Sequence, residues 1–120
     1  MSVHKITAIH EFGNYLAENK LVFVKWGASF CQTCKNIQPI YEQLAEVNKD
    51  NAVFLSVEID GQYNENQEGM DHLIKDLYEV SLIPLFQVFK NGFLDDKFFG
   101  SGGDDDVDIL KTFINKNIIK

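Results

Sequence analysis

Apolar residues recur along this chain with two periods, near 3.6 and near 2, and the switches between them mark its elements. Val3 to Thr7 is a short strand. Ile9, Phe12, Tyr15 and Leu16 share one helical face, and Asn19-Lys20 closes that helix. Leu21 to Trp26 is apolar on both faces apart from Lys25, the mark of a central strand covered on both sides. After Cys31, the residues Ile37, Ile40, Tyr41, Leu44 and Val47 form a helical stripe, with Pro39 inside it as a bend. Val53, Leu55, Val57 and Ile59 then alternate with Phe54, Ser56 and Glu58 along a strand. Gly61 to Gly69 is polar and reads as a loop, and Met70, Leu73, Ile74, Leu77 and Tyr78 make a further helical stripe. Leu85 to Phe89 and Phe93 to Phe99 are strands joined by Asn91-Gly92, a strong hairpin signal. Gly100 to Gly103 is a loop. Asp104-Asp105-Asp106 offers an N-cap and negative charge to a last helix with Leu110, Phe113, Ile114 and Ile118 inward.

The order β-α-β-α-β-α-β-β-α implies an α/β fold. The early β-α-β units require parallel neighbours, and the hairpin adds an antiparallel edge. One mixed sheet of about five strands with helices on both faces is the natural closure. The 120 residues, 45% of them hydrophobic, suit a single domain over residues 1–120. Eleven basic against 18 acidic residues leave a net charge of −7, which argues against nucleic acid or an anionic membrane as partner. No apolar run is long enough to span a bilayer, and Met1-Ser2-Val3-His4-Lys5 lacks the pattern of a secretory signal. The expectation is a cytoplasmic protein, in a reducing compartment where a lasting structural disulfide is disfavoured.

The whole chain holds two cysteines, both in Phe30-Cys31-Gln32-Thr33-Cys34-Lys35, where the central strand gives way to a helix. Two intervening residues let the first helical turn bring the sulfurs within bonding range. The first sulfur then faces unpaired backbone N–H groups and the positive end of the helix dipole, which favour a thiolate. Such a pair can attack a disulfide and resolve the mixed intermediate internally. Metal binding is the competing use of the pair, but zinc needs four ligands, and His4, His10 and His72 show no ligand spacing to it. A vestigial dithiol on a binding domain is the third.

The chain resembles the thioredoxins nearly end to end. The matching stretches are Trp26-Gly27-Ala28-Ser29-Phe30-Cys31, the Cys-x-x-Cys-Lys, and Pro39 five residues after the second cysteine. They continue with Glu58-Ile59-Asp60, Ile83-Pro84, Phe89-Lys90-Asn91-Gly92-Phe93 and Gly100. The resemblance implies the thioredoxin fold and a thiol–disulfide oxidoreductase that reduces protein disulfides, with Cys31 as exposed nucleophile and Cys34 as buried resolving thiol. Pro84 matches the family's cis-proline. Phe30, Gln32, Thr33, Ile83, Pro84 and Gly100 are the expected substrate contacts, in a shallow apolar rim that pairs with extended backbone. The implied partners are disulfide-containing proteins and a recycling reductase or thiol pool, with the protein itself a monomer. No metal or organic cofactor is required.

Four departures from the family pattern matter. Gln32-Thr33 replaces the usual Gly-Pro, which restores an N–H at Thr33 as an extra donor toward Cys31 and leaves open a more oxidising disulfide. Phe30 stands where the family has tryptophan. Lys25 occupies the site of the family's buried aspartate, whose usual lysine companion falls on Ser56. Lys25 is therefore the candidate proton-handling residue for Cys34, paired with Glu58 on the adjacent strand; the plain alternative is a buried stem with its amine at solvent. Extra residues between Asp60 and Pro84 fall within Gly61 to Gly69. A thioredoxin-fold interaction domain with slow redox chemistry is the alternative function.

Overall fold

The computed structural model describes residues 2–63 and 67–118. Its sheet has five strands in the order β1-β3-β2-β4-β5, with β1 Val3–Lys5, β2 Leu21–Gly27, β3 Val53–Glu58, β4 Leu85–Lys90 and β5 Phe93–Phe99. β3 runs parallel to both β1 and β2, whereas β4 is antiparallel to β2 and to β5. The helices are α1 Ile9–Glu18, α2 Gln32–Val47, α3 Gln67–His72 and α4 Asp106–Ile118. This is the mixed sheet that the element order required.

Alternation along the strands divides the interior in two. Val22, Val24, Trp26, Leu55, Val57, Leu85 and Phe89 face Phe12 and Leu16 of α1, with Met70 and Ile74 beside them. Phe23, Phe54, Phe86 and Val88 face Ile37, Tyr41 and Ala45 of α2 and Leu110, Phe113 and Ile114 of α4. Buried Tyr41 donates its hydroxyl to the Leu55 carbonyl at 2.8 Å, tying α2 across the sheet. Burial holds that hydroxyl's pKa well above the ordinary tyrosine value.

The first strand stops short of Thr7. Thr7 and Ala8 both donate their N–H groups to Glu11 Oε1, at 2.9 and 2.8 Å, and so turn the backbone from the sheet into α1. The hairpin forms as the Asn-Gly pair dictates, both residues having positive φ (53° and 86°).

The segment between Asp60 and Pro84 departs most from expectation. Gln67 to Gly69, read as loop, is already helical, and Gln67 Oε1 accepts the Tyr63 N–H at 2.7 Å. Tyr63 is itself buried and donates its hydroxyl to Glu58 O at 2.8 Å, so the insertion is anchored to the end of β3. Asn64, Glu65 and Asn66 of the expected loop lie outside the described residues. After α3 the chain widens into a π-helical segment, Leu73–Leu77, closed by Tyr78 N–H to Leu73 O. The wider turn brings Tyr78 against Phe12, Trp26 and Phe89 and leaves Leu77 exposed, not inward as its spacing suggested. Val47 is exposed as well. The buried line of α2 is Ile37, Tyr41, Ala45, and Val47 falls beyond it on the far side of the last turn.

Candidate active site

The strand β2 is buried from Val22 to its end at Gly27, and α2 begins at Gln32. The connection is held twice. Cys31 N–H donates to Ala28 O at 3.2 Å, and Asp60 accepts both the backbone N–H (3.0 Å) and the hydroxyl of Ser29. The hydroxyl bond, with the amide bond behind it, holds the Asp60 carboxyl below its ordinary pKa. Cys31 is thereby fixed as the N-cap of α2, in extended backbone, with its Sγ accepting the Cys34 N–H at 3.1 Å. The amide that reaches this sulfur is thus Cys34's, not the Thr33 donor expected from sequence.

Cys31 and Cys34 are joined as a disulfide, with Cα atoms 5.2 Å apart. Cys31 is half-buried and Cys34 is 2% exposed, so Cys31 is the more accessible residue of the pair. Among the described residues no group of three or more histidine, cysteine or acidic side chains is arranged to hold a metal ion.

In front of the disulfide, Phe30 is 73% exposed. The Ile83–Pro84 bond is cis, Pro84 is buried, and Gly100 N–H donates to Pro84 O at 2.8 Å. A Cβ at Gly100 would stand 2.7 Å from Pro84 Cγ, so this crossing admits only glycine. Leu82 and Phe99, exposed neighbours of Ile83 and Gly100, widen the apolar border. Gln32 is exposed and donates to Asn36, while Thr33 is half-buried against the loop after Gly100.

Behind the disulfide lies a pocket of about 280 Å³ whose lining includes Cys34, Lys25, Gln38, Glu42, Ser56 and Glu58. Lys25 is 5% exposed, and burial lowers its pKa to about 8 against the opposing pull of Glu58 and Glu42. Its Nζ donates to Gln38 Oε1 at 2.6 Å. The expected pairing with Glu58 is not what forms, because Glu58 turns outward to Lys5 at 3.2 Å. Gln38, one helical turn after Cys34, was not singled out from sequence; its i+4 spacing to the buried thiol was the available signal. A methyl group on Gly27 would lie 3.3 Å from Cys34 Sγ and 3.5 Å from Lys25 Nζ. The bare glycine therefore leaves open the space between thiol and amine.

Fold and site together define a small α/β protein with a Cys-x-x-Cys disulfide at a helix N-cap and a cis-proline. Residues 3–116 match the family model described as Thioredoxin, so this chain belongs to the thioredoxin family. Thioredoxin 1 of Plasmodium falciparum is 30% identical over 111 residues, covering 92% of this chain and 93% of that protein. The thioredoxin of Equus caballus is 36% identical over 85 residues, 71% of each chain. Among solved structures, the Malassezia sympodialis thioredoxin superposes with a TM-score of 0.76 at 26% identity, covering 98% of this chain and 92% of that one. The function is that of a thiol–disulfide oxidoreductase acting through Cys31 and Cys34.

Proposed function

We propose that this single thioredoxin-like domain reduces protein disulfides by a two-step exchange in which Lys25 handles the Cys34 proton. In its reduced form the Cys31 thiolate, favoured by the Cys34 N–H and the start of α2, attacks one sulfur of the substrate disulfide. The substrate S–S bond breaks, a Cys31–substrate disulfide forms, and the released sulfur takes up a proton. Cys34 then gives its proton to neutral Lys25 and attacks Cys31 Sγ, expelling the second substrate sulfur as a thiolate that is protonated in turn. The substrate gains two electrons and two protons, and the dithiol becomes the disulfide seen here. A two-electron thiol donor, either a reductase or a thiol pool, restores the dithiol. The protein works as a monomer in a reducing compartment such as the cytoplasm, where the dithiol is kept reduced.

The observation that carries this reading is the shared pocket: Lys25, with a pKa of about 8, and the buried resolving thiol line the same cavity. An amine that is partly neutral near neutral pH suits a general base. Phe30, Gln32, Thr33, Ile83, Pro84 and Gly100 are assigned to hold an extended substrate segment over Cys31. Insulin reduction with dithiothreitol as electron donor tests the exchange. Catalysis that vanishes in Cys31→Ser supports it; stable partner capture indifferent to both cysteines would mark an interaction domain instead.

A further inference from the structure

Residues Gly100 to Gly103 contain three glycines and one serine, a stretch with more conformational freedom to lose than almost any other composition. It is nevertheless held in place beside the disulfide. Asp106, at the start of α4, is 6% exposed, while Asp104 and Asp105 beside it are exposed. Its carboxylate does not serve the first turn of its own helix. Oδ1 accepts the Ser101 N–H and the Ser101 hydroxyl, each at 3.0 Å, and Oδ2 accepts the Gly102 N–H at 2.8 Å. Ser101 Oγ in turn accepts the Gly103 N–H at 3.1 Å. Burial alone pushes this carboxyl's pKa up, but the Ser101 and Gly102 amides outweigh it and hold the group below its ordinary value, so it is an anion at neutral pH.

The pinned loop reaches the segment between the two cysteines. Gly102 has φ +86°, and a Cβ there would stand 3.1 Å from Thr33 Oγ1, between the two cysteines in sequence. At its other end Gly100 is hydrogen-bonded to Pro84 O. We infer that Asp106 is a positioning residue for protein-substrate capture: one buried anion sets the glycine loop as a wall against Thr33 and Pro84, and extended substrate segments reaching Cys31 are held against that wall. This rests on the disulfide-reductase reading above. A small disulfide, which needs only to reach Cys31, does not use the wall.

Two variants perturb it differently. In Asp106→Asn the amide nitrogen that replaces one carboxylate oxygen meets N–H donors and cannot accept from them. In Gly102→Ala, Asp106 is intact but the positive φ and the Thr33 contact push the loop outward. Reduction of insulin and of hydroxyethyl disulfide is measured for each, with the Cys31–Cys34 midpoint in glutathione buffers. Insulin kcat/KM should fall about tenfold, carried by KM, while hydroxyethyl disulfide stays within about twofold and the midpoint is unmoved. A purely structural role would lower stability and depress both substrates together, or leave both untouched, and either result overturns the inference. Should Asp106→Asn fail to fold, Gly102→Ala and Ser101→Ala, which removes one donor, carry the same comparison. Wild-type protein without Cys31-dependent turnover on either substrate would defeat the reductase reading itself, a separate result from loss of selectivity.

Discussion

In front of the Cys31–Cys34 pair, Phe30, Leu82 and Phe99 lie open to solvent around a cis Ile83–Pro84 bond. Behind it, Lys25, Gln38, Glu42, Ser56 and Glu58 contribute the polar and charged groups to the lining of a pocket. The front offers area and shape but, among these side chains, no charge. The back offers charge under partial desolvation, where a lysine is brought to a pKa of about 8. In the proposed mechanism recognition and proton transfer fall on opposite sides of one S–S bond, and changes on one side should leave the other side's step alone.

The largest effect should come from emptying the back of its charge. A buried lysine whose pKa is lowered destabilises the native state while it is protonated. The full penalty applies below about pH 8, shrinks as pH rises, and is gone above the unfolded value near 10.5. Lys25→Met should therefore be more stable than wild type at pH 7 by about 2–3 kcal/mol, and that advantage should fade between about pH 8 and 10.5. Denaturant melts of the oxidised proteins across this range check the sign; an advantage that grows with pH would mean the amine is not desolvated.

The same substitution should slow the second chemical step. Release of substrate from the mixed disulfide should fall about tenfold, with attack by Cys31 unchanged. Rapid-quench analysis of the mixed disulfide separates the two steps, and an unaltered release rate would remove Lys25 from the mechanism.

Phe30→Ala should do the reverse at the front. It should raise KM for insulin about fivefold while leaving release from the mixed disulfide intact. If instead the release step slowed, the division between the two sides would be wrong.

The sequence carried the frame further than the details. Alternation in Val53 to Ile59, the Asn91-Gly92 turn and the placement of Cys31 between a buried strand and a helix are local properties, and each appears as read. Leu77 and Val47 fall outside the core because a periodic stripe assumes a regular α-helix running to its end. The π-helical turn at Leu73–Leu77 and the end of α2's buried line break that assumption. Lys25 was legible as an anomaly in an apolar strand, but not its partner. Glu58 is the cross-strand candidate by sequence, and Lys5, on the neighbouring β1, takes it. Nothing in the run Asp104-Asp105-Asp106 sets the third aspartate apart.

By itself the chain determined the strand and helix order, the dithiol at a helix N-terminus and the hairpin, because these depend on periodicity and on neighbours a few residues away. Only the tertiary structure decided that Lys25 answers to Gln38, that Gly27 leaves the thiol and amine a shared space, and that Asp106 pins a distant-looking glycine loop beside Thr33. Those are contacts between elements. They depend on which groups meet once the sheet is assembled, and on how much water is left between them.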